Sequence, residues 1–149
     1  MYKHLLKPIL FRFNPETTHN MTNKGQSLLR HIPFARSIIR SIYKKEYPTL
    51  EREVFGIRFS NPVGLAGGLD KNGEYYNDMA NFGFGFVEIG SLTPLPQDGN
   101  AKPRCFRVPE DKALINRFGI NNKGVKNAVE HLKKERPEVI VAANISKNT

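Results

Sequence analysis

Asn61-Pro62-Val63-Gly64-Leu65-Ala66-Gly67-Gly68-Leu69-Asp70-Lys71 is the stretch that decides the fold, because a short apolar run in it ends in paired glycines and a lysine. Pro62 is expected to start a strand, since proline is tolerated at a strand's first residue. The glycines then form a loop whose backbone can approach a ligand closely. The stretch lacks the spacing G-x-G-x-x-G, so it does not predict a Rossmann domain.

Two further apolar runs, 86–91 and 139–144, also end in small or polar residues. Helical spacing lies between the three strands, at 74–81 and 122–134. Strands that are apolar throughout and alternate with helices predict a parallel sheet covered on both faces. The remaining predicted strands are shorter: a hairpin within 54–59 and two strands at 105–108 and 114–116. Ligand sites of parallel α/β folds lie just after the strand ends, which is where this chain collects polar residues.

The length leaves the extent of the sheet open. Residues 51–149 supply about three such strands, whereas a closed eight-stranded barrel typically takes ~250 residues. The chain is therefore either a small open sheet or the beginning of a larger fold, and composition does not decide between them.

The first fifty residues predict basic amphipathic helices. They hold nine Lys or Arg and two Glu, which is +7 of the chain's net charge of +9. Asn14-Pro15-Glu16 has the form of a helix start. Such helices are typical of a segment lying in a membrane interface. The commoner alternative is that their apolar faces pack on each other or on the following domain.

Several classes of protein are excluded or disfavoured by composition. No apolar run approaches the ~18 residues of a membrane-spanning helix. The single Cys105 cannot form an internal disulfide and is expected to be a strand residue in a reducing compartment. The four histidines are scattered without metal-ligand spacing, so we expect no metal site. No helix-turn-helix, finger or RNA-binding signature accompanies the basic charge, so we expect no nucleic-acid partner.

Four strings of the sequence together resemble dihydroorotate dehydrogenases. They are NPVGLAGGLDKNGE (61–74), GFGFVEIGSLTPLPQDGNAKPRCFR (83–107), INRFGINNKG (115–124) and AANISKN (142–148), in the family's order and spacing. The helical extension with NPETTHN (14–20) is similar to the membrane-associated, quinone-using class 2. The resemblance implies an α/β fold in which an N-terminal helical segment (1–50) precedes the first part of a TIM (β/α)8 barrel (51–149), incomplete in this chain.

The family implies oxidation of dihydroorotate to orotate in pyrimidine biosynthesis, with FMN as cofactor and a quinone as electron acceptor. A base removes the C5 proton of dihydroorotate while C6 passes hydride to the flavin. Residues 1–50 would form the quinone entrance and associate with an anionic membrane surface. The implied location is the cytoplasmic face of a bacterial inner membrane, as a peripheral protein.

The matching motif positions imply the site residues. The FMN-binding residues would be Ala66, Gly67, Gly68, Lys71, Ser91 and Asn144. The substrate-binding residues would be Lys71, Asn116, Arg117, Phe118, Gly119 and Ile120, with Asn116 bonding the pyrimidine edge. The sequence departs from the family at two of these positions: Gly67 stands where alanine is usual, and Ile120 where an aromatic residue is usual.

The family's catalytic base, a serine, is expected beyond Thr149, and Ser146 does not match it. We therefore expect the full-length parent to be the enzyme and the 149 residues alone to be inactive. Two alternatives stay open: a soluble-class dihydroorotate dehydrogenase that uses fumarate or NAD, and a non-catalytic, truncated membrane-surface module.

Overall fold

The computed structural model describes residues 2–149, with side chains from Lys3 onward, so Met1 of the predicted helical segment lies outside the described residues. A π-helical turn, Tyr2–Leu6, leads into the first helix. The α-helices of this part of the chain are α1 (Lys7–Leu10), α2 (Pro15–Leu29), α3 (Ala35–Tyr43), α4 (Tyr76–Ala80) and α5 (Val125–Lys134). None of the helices within residues 2–149 is both long enough and apolar enough to cross a membrane.

Seven strands form three sheets within the same residues. The strands are β1 (Arg52–Val54), β2 (Ile57–Phe59), β3 (Gly64–Leu65), β4 (Phe86–Leu92), β5 (Cys105–Val108), β6 (Ala113–Asn116) and β7 (Ile140–Ile145). Two sheets are antiparallel hairpins, β1–β2 and β5–β6. The third is parallel, in the order β3–β4–β7, as the sequence predicts.

Two helices begin later than their apolar spacing predicts, because buried polar side chains bind the preceding backbone. The Asp70 carboxylate accepts hydrogen bonds from the backbone N–H groups of Glu74 and Tyr75, both at 2.8 Å, so α4 starts only at Tyr76. Asn122 is buried, and its Oδ1 accepts from the backbone of Gly124 at 2.8 Å, ahead of α5. These hydrogen bonds hold the residues before α4 and α5 in turns, and each helix begins only after its turn.

The core lies on one face of the parallel sheet. Val87 and Ile89 of the central strand β4 are 0% exposed. They pack against Tyr76 and Met79 of α4 and Ala128 of α5. The opposite face carries Phe86, Glu88 and Asn144, of which Asn144 is exposed. The two helices of the core thus lie on one face, while the other face is covered only in part, by Phe59 of β2 packing on Phe86, so the predicted cover of both faces is incomplete within residues 2–149.

The N-terminal helices turn polar side chains inward. Arg30, directly after α2, pairs with the buried Asp78 of α4 at 2.6 Å, and Arg36 and Arg40 of α3 pair with Glu138 ahead of β7. Asn23, on α2, is 4% exposed. Polar contacts therefore hold these helices against the rest of the chain.

Many apolar side chains of the same helices point outward, although Leu29 and Ile39 are half-buried. Leu5 is 58% exposed, Leu28 66%, and Ile38 and Ile42 57% each. Packing of the apolar faces on each other or on the following domain, the commoner expectation, is wrong for these positions.

Three of the nine cations of residues 1–50 are also paired with acids of the second part of the chain, so part of the charge asymmetry is neutralised internally.

Candidate active site

The carboxyl ends of the three parallel strands bring predicted site residues from separate motifs together. Ala66, Gly67 and Gly68 follow β3, Ser91 lies near the end of β4, and Asn144 lies near the end of β7. The Ser91 hydroxyl donates to Oδ1 of Asn144 at 2.5 Å. The backbone N–H of Gly68 donates to the carbonyl of Gly90 at 2.7 Å. Parallel pairing thus builds one surface from residues more than seventy positions apart.

The glycine loop after β3 presents bare backbone to open space. Gly68 has φ of +104°, and a Cβ built on it would meet no atom within 4 Å. Glycine adopts such a conformation without the steric penalty of other residues. A Cβ on Gly67 would lie 2.8 Å from Oε1 of Glu88. The surface above Gly68 is therefore free to receive a flat ring at close range, and Gly67 lies directly against the sheet.

Lys71 places a positive charge beside this loop. Its Nζ donates to the carbonyl of Gly68 at 2.5 Å and lies 4.8 Å from the centroid of the Phe118 ring. Burial lowers the pKa of Lys71 below its ordinary value, and the neighbouring Arg104 lowers it further, while Glu16 opposes them. A partly dehydrated cation of this kind is suited to binding an anionic group.

The stretch 116–120 is held by the loop that precedes β5. Asn100 donates to the carbonyls of Arg117 at 2.8 Å and Phe118 at 3.0 Å. Gln97 donates to those of Gly119 and Ile120, both at 3.2 Å. These bonds support the left-handed backbone of Gly119 and Ile120, with φ of +72° and +53°. For a β-branched residue such as isoleucine this conformation is strained.

The predicted substrate residues are only partly assembled around Lys71. Phe118 is in contact with it, whereas the side chains of Asn116 and Arg117 are exposed and Ile120 is 36% exposed. Asn116 ends β6 opposite Cys105, the buried strand residue that the sequence predicts.

Arg104 connects this site to the N-terminal helices. Its guanidinium binds Glu16 of α2 through two hydrogen bonds, 2.7 and 3.1 Å, and also donates to the carbonyls of Asp98 and Asn100. It lies over the Phe118 ring at 5.4 Å and is 6% exposed. A cavity of about 260 Å³ lies beside this connection, and His19 of α2, Lys71 and Phe118 are among the residues lining it. Helix α2 therefore forms one wall of the site.

Sequence reasoning missed three polar groups that organise the site: Glu88, Arg104 and Asn122. Each lies inside a motif that carries the family resemblance. The motif string by itself does not distinguish a ligand-binding residue from a supporting one. Asn122 joins the two loops around the site, because its side chain bonds Thr93 and the carbonyl of Ile120.

Comparisons with known proteins match nearly the whole chain to one family. A family profile described as "Dihydroorotate dehydrogenase" matches residues 49–149. A protein of Christiangramia forsetii named "Dihydroorotate dehydrogenase (quinone)" is 48% identical over 148 residues, 99% of this chain and 43% of its own length. A protein of the same name from Cellvibrio japonicus is 51% identical over 148 residues, 99% of this chain and 42% of its own.

The solved dihydroorotate dehydrogenase of Eimeria tenella in complex with ferulenol superposes with a TM-score of 0.73 at 37% identity. The match covers 90% of this chain and 36% of that one. The chain thus spans about two fifths of the length of the curated relatives it matches, 42% and 43% for the two proteins above. On the match of the family profile to residues 49–149, the chain belongs to the dihydroorotate dehydrogenase family.

Proposed function

We propose that the protein oxidises dihydroorotate to orotate in pyrimidine biosynthesis, with FMN as cofactor and a quinone as acceptor. In this proposal residues 1–50 are the quinone-entrance and membrane-associating segment, and residues 51–149 are the first part of a TIM barrel. The observation that carries it is the joining of Gly68, Lys71, Ser91 and Asn144 at the carboxyl ends of three parallel strands. Ligands bind at this end of parallel barrels.

The residues at the strand ends suit FMN. Bare backbone at Gly68, next to Ala66 and Gly67, allows a flat ring to approach, and Ser91 and Asn144 supply polar groups beside it. Lys71 supplies the positive charge. FMN held by these residues would supply the redox chemistry, as acceptor of hydride from the substrate and donor of electrons to the quinone.

The chain's own part in the reaction is to bind and orient the substrate. Dihydroorotate carries a carboxylate, which the Lys71 ammonium can neutralise in a partly dehydrated setting. The Phe118 ring forms an apolar wall against Lys71, and the backbone of 116–120 is held in place by Gln97 and Asn100. Asn116 offers an exposed amide with both donor and acceptor groups for the pyrimidine edge. We assign the proton-removing base to none of these residues.

The acceptor is proposed to be a quinone because the relatives are named for it. No observation on this chain favours fumarate or NAD over the quinone. The wall that α2 forms along the cavity, with His19 and Lys71 among its lining residues, is consistent with an acceptor reaching the site from the helical segment.

Lys71→Met tests the flavin and anion site. We expect the dissociation constant of FMN to rise about tenfold, because losing a charge-assisted hydrogen bond costs about 1.5 kcal/mol. The measurement is quenching of FMN fluorescence on titration with the 149-residue chain. Lys126→Met, the same change at an exposed position of α5, serves as the control and should bind like wild type.

Failure of the wild-type chain to quench FMN fluorescence would count against the proposed flavin site. Equal FMN affinities of Lys71→Met and wild type would show that Lys71 is not part of the flavin site. The overall activity is tested separately, as dihydroorotate-dependent reduction of a quinone analogue by the product of the complete reading frame.

The outward apolar side chains of the N-terminal helices support membrane association. Leu5 and Ile9 are 58% and 50% exposed, and Lys3 and Lys7 lie on the same short helical stretch. Apolar and basic side chains together are typical of helices that lie in the interface of anionic bilayers. We propose that the protein is peripheral to the cytoplasmic face of a bacterial inner membrane.

Replacing Leu5 and Ile9 together by serine should weaken binding to vesicles of phosphatidylglycerol and phosphatidylethanolamine at least about tenfold. The physical reason is that each buried aliphatic side chain contributes about 1.5 kcal/mol or more. Co-sedimentation measures the bound fraction. Val129→Ser, at a partly exposed position of α5, should sediment like wild type. Undiminished sedimentation of the double variant would contradict membrane contact through the π-helical turn and α1.

A further inference from the structure

Glu88 is a charged residue in the middle of the central strand of the parallel sheet. Its neighbours Val87 and Ile89 face the core, so its own side chain lies on the opposite face, level with Ala142 of β7. It is half-buried there. A carboxylate on a partly dehydrated surface is unfavourable unless polar groups compensate it. Glu88 has a single hydrogen-bonded partner among residues 2–149, and that partner therefore shows which group compensates the charge.

That partner is the side-chain amide of Asn144, whose Nδ2 donates to Oε1 of Glu88 at 2.7 Å. The other end of the same amide, Oδ1, accepts the Ser91 hydroxyl at 2.5 Å. The three side chains thus form a chain of hydrogen bonds that ends at the carboxylate. Each bond crosses between β4 and β7, so the parallel register of these strands creates the arrangement.

The carboxylate permits only one orientation of the amide. An ionised carboxylate is an acceptor only, whereas the two ends of an asparagine amide differ, one accepting and the other donating. Turning the amide over would place Oδ1 against Oε1 of Glu88, acceptor against acceptor. With Glu88 present, Nδ2 points to the carboxylate and Oδ1 to Ser91, so the Ser91 hydroxyl hydrogen is committed to Asn144.

This orientation determines which groups the strand ends offer to a ligand. Ser91 keeps its lone pairs and acts as an acceptor, and Asn144 keeps its second N–H as a donor. The pyrimidine edge of a flavin carries one N–H between two carbonyl groups, which needs both an acceptor and donors. The open surface over Gly68 leaves room for a ring beside this pair.

We propose that Glu88 is a positioning residue of the FMN site, which fixes the Asn144 amide and thereby makes Ser91 a hydrogen-bond acceptor towards the flavin. The inference rests on the proposed function, since it takes FMN as the ligand. Glu88 acts through Asn144. Replacing Glu88 should therefore weaken FMN binding only while Asn144 is present.

A double-mutant cycle tests this dependence through FMN affinity. Glu88→Leu should weaken FMN binding about tenfold, the loss typical of one charge-assisted hydrogen bond. In the Asn144→Ala background the same substitution should have no further effect, because contacting residues that act through one another are not additive. Glu88→Gln, which keeps an acceptor oxygen but adds a donor, should restore only part of the affinity. Glu53→Leu, the same change in the exposed strand β1, is the control.

Thermal unfolding separates positioning from a structural role. Replacing a half-buried charge by leucine is expected to leave the melting temperature unchanged or to raise it. Weaker FMN binding at undiminished stability supports the proposal. A fall in melting temperature parallel to the loss of affinity, or additive effects in the cycle, would overturn it.

A second measurement needs no flavin. The side-chain NH2 protons of Asn144 can be assigned by NMR in the isotope-labelled chain, through their loss in Asn144→Ala. They should shift in Glu88→Leu and stay in place in Glu53→Leu. Unchanged signals in Glu88→Leu would overturn the positioning role. Absence of FMN binding by the wild-type chain would contradict the proposed function instead, and with it the flavin part of this inference.

Discussion

Ile89→Ala is expected to lower the free energy of unfolding by about 3 kcal/mol, because truncating a buried isoleucine loses transfer free energy and leaves a cavity. Ile89 is 0% exposed on the central strand, packed between α4 and α5. The side chain has neighbours on the strand and on both helices, so the gap cannot close by moving one element. The loss should be measured by urea denaturation followed by far-UV circular dichroism.

Ile38→Ala is the matched control, since the same atoms are removed from a side chain that is 57% exposed on α3. Substitutions at such surface positions typically change stability by no more than about 0.5 kcal/mol. Equal losses in the two variants would mean that the outward apolar face of α3 is covered in solution, contrary to the structure.

Arg104→Met is the second large expected effect, again about 3 kcal/mol of stability, because it removes the buried partner of Glu16 and leaves that carboxylate with only the exposed Lys102 beside it. The Arg104 and Glu16 side chains are 6% and 11% exposed, and their contact joins α2 to the loop before β5. The guanidinium also satisfies the carbonyls of Asp98 and Asn100, so those acceptors lose their partner as well. Denaturation of the variant at neutral pH measures the loss.

Lys102→Met supplies the comparison within the same cluster. Lys102 lies 3.5 Å from the same carboxylate oxygen of Glu16, but its side chain is 68% exposed. Exposed ion pairs contribute about 0–1 kcal/mol. We therefore expect a small change in the free energy of unfolding for Lys102→Met. A loss as large as that of Arg104→Met would show that burial is not the reason for the large effect of Arg104.

The stabilisation by the Arg104–Glu16 ion pair is expected to be lost as the pH falls. Hydrogen bonding to Arg104 lowers the pKa of Glu16 below its ordinary value of 4.5. The unfolded chain therefore takes up the proton more readily than the folded chain as acid is added. The stabilisation is fully present above pH 4.5 and is lost as the pH falls through the lowered pKa of the folded state. Stabilities of wild type and Arg104→Met should converge in that range, and a constant difference would contradict this origin.

Much of the fold could be predicted from local pattern. The apolar run at 86–91 becomes β4, the run at 139–144 becomes β7 one residue later at each end, and Asn14 caps α2 by accepting from the Glu16 backbone at 2.9 Å. These features depend on short-range periodicity, capping and turn chemistry, which neighbouring residues express directly. The family motifs likewise predict a role in the site for the glycine loop and Lys71.

Less of the candidate site could be predicted. The sequence marks Asn144 and Ser91 as separate motif positions, but Glu88, which bonds Asn144, reads as an ordinary polar residue between two apolar ones. Likewise Arg104 reads as a basic residue beside the buried Cys105, and its partner Glu16 lies 88 positions earlier. Nothing local distinguishes a paired, buried charge from a solvated one.

By itself, the sequence determined the element types, the parallel β–α–β order and the family, because each depends on the spacing of neighbouring residues. Only the tertiary structure decided which face of each N-terminal helix turns inward. The helical spacing of Ile38 and Ile42 predicts an apolar stripe, yet Arg36 and Arg40 of the same helix pair with Glu138, and Arg30 just after α2 pairs with the buried Asp78. Leaving Asp78 buried without a partner would cost more than exposing aliphatic side chains, and that comparison can be made only between residues distant in the sequence.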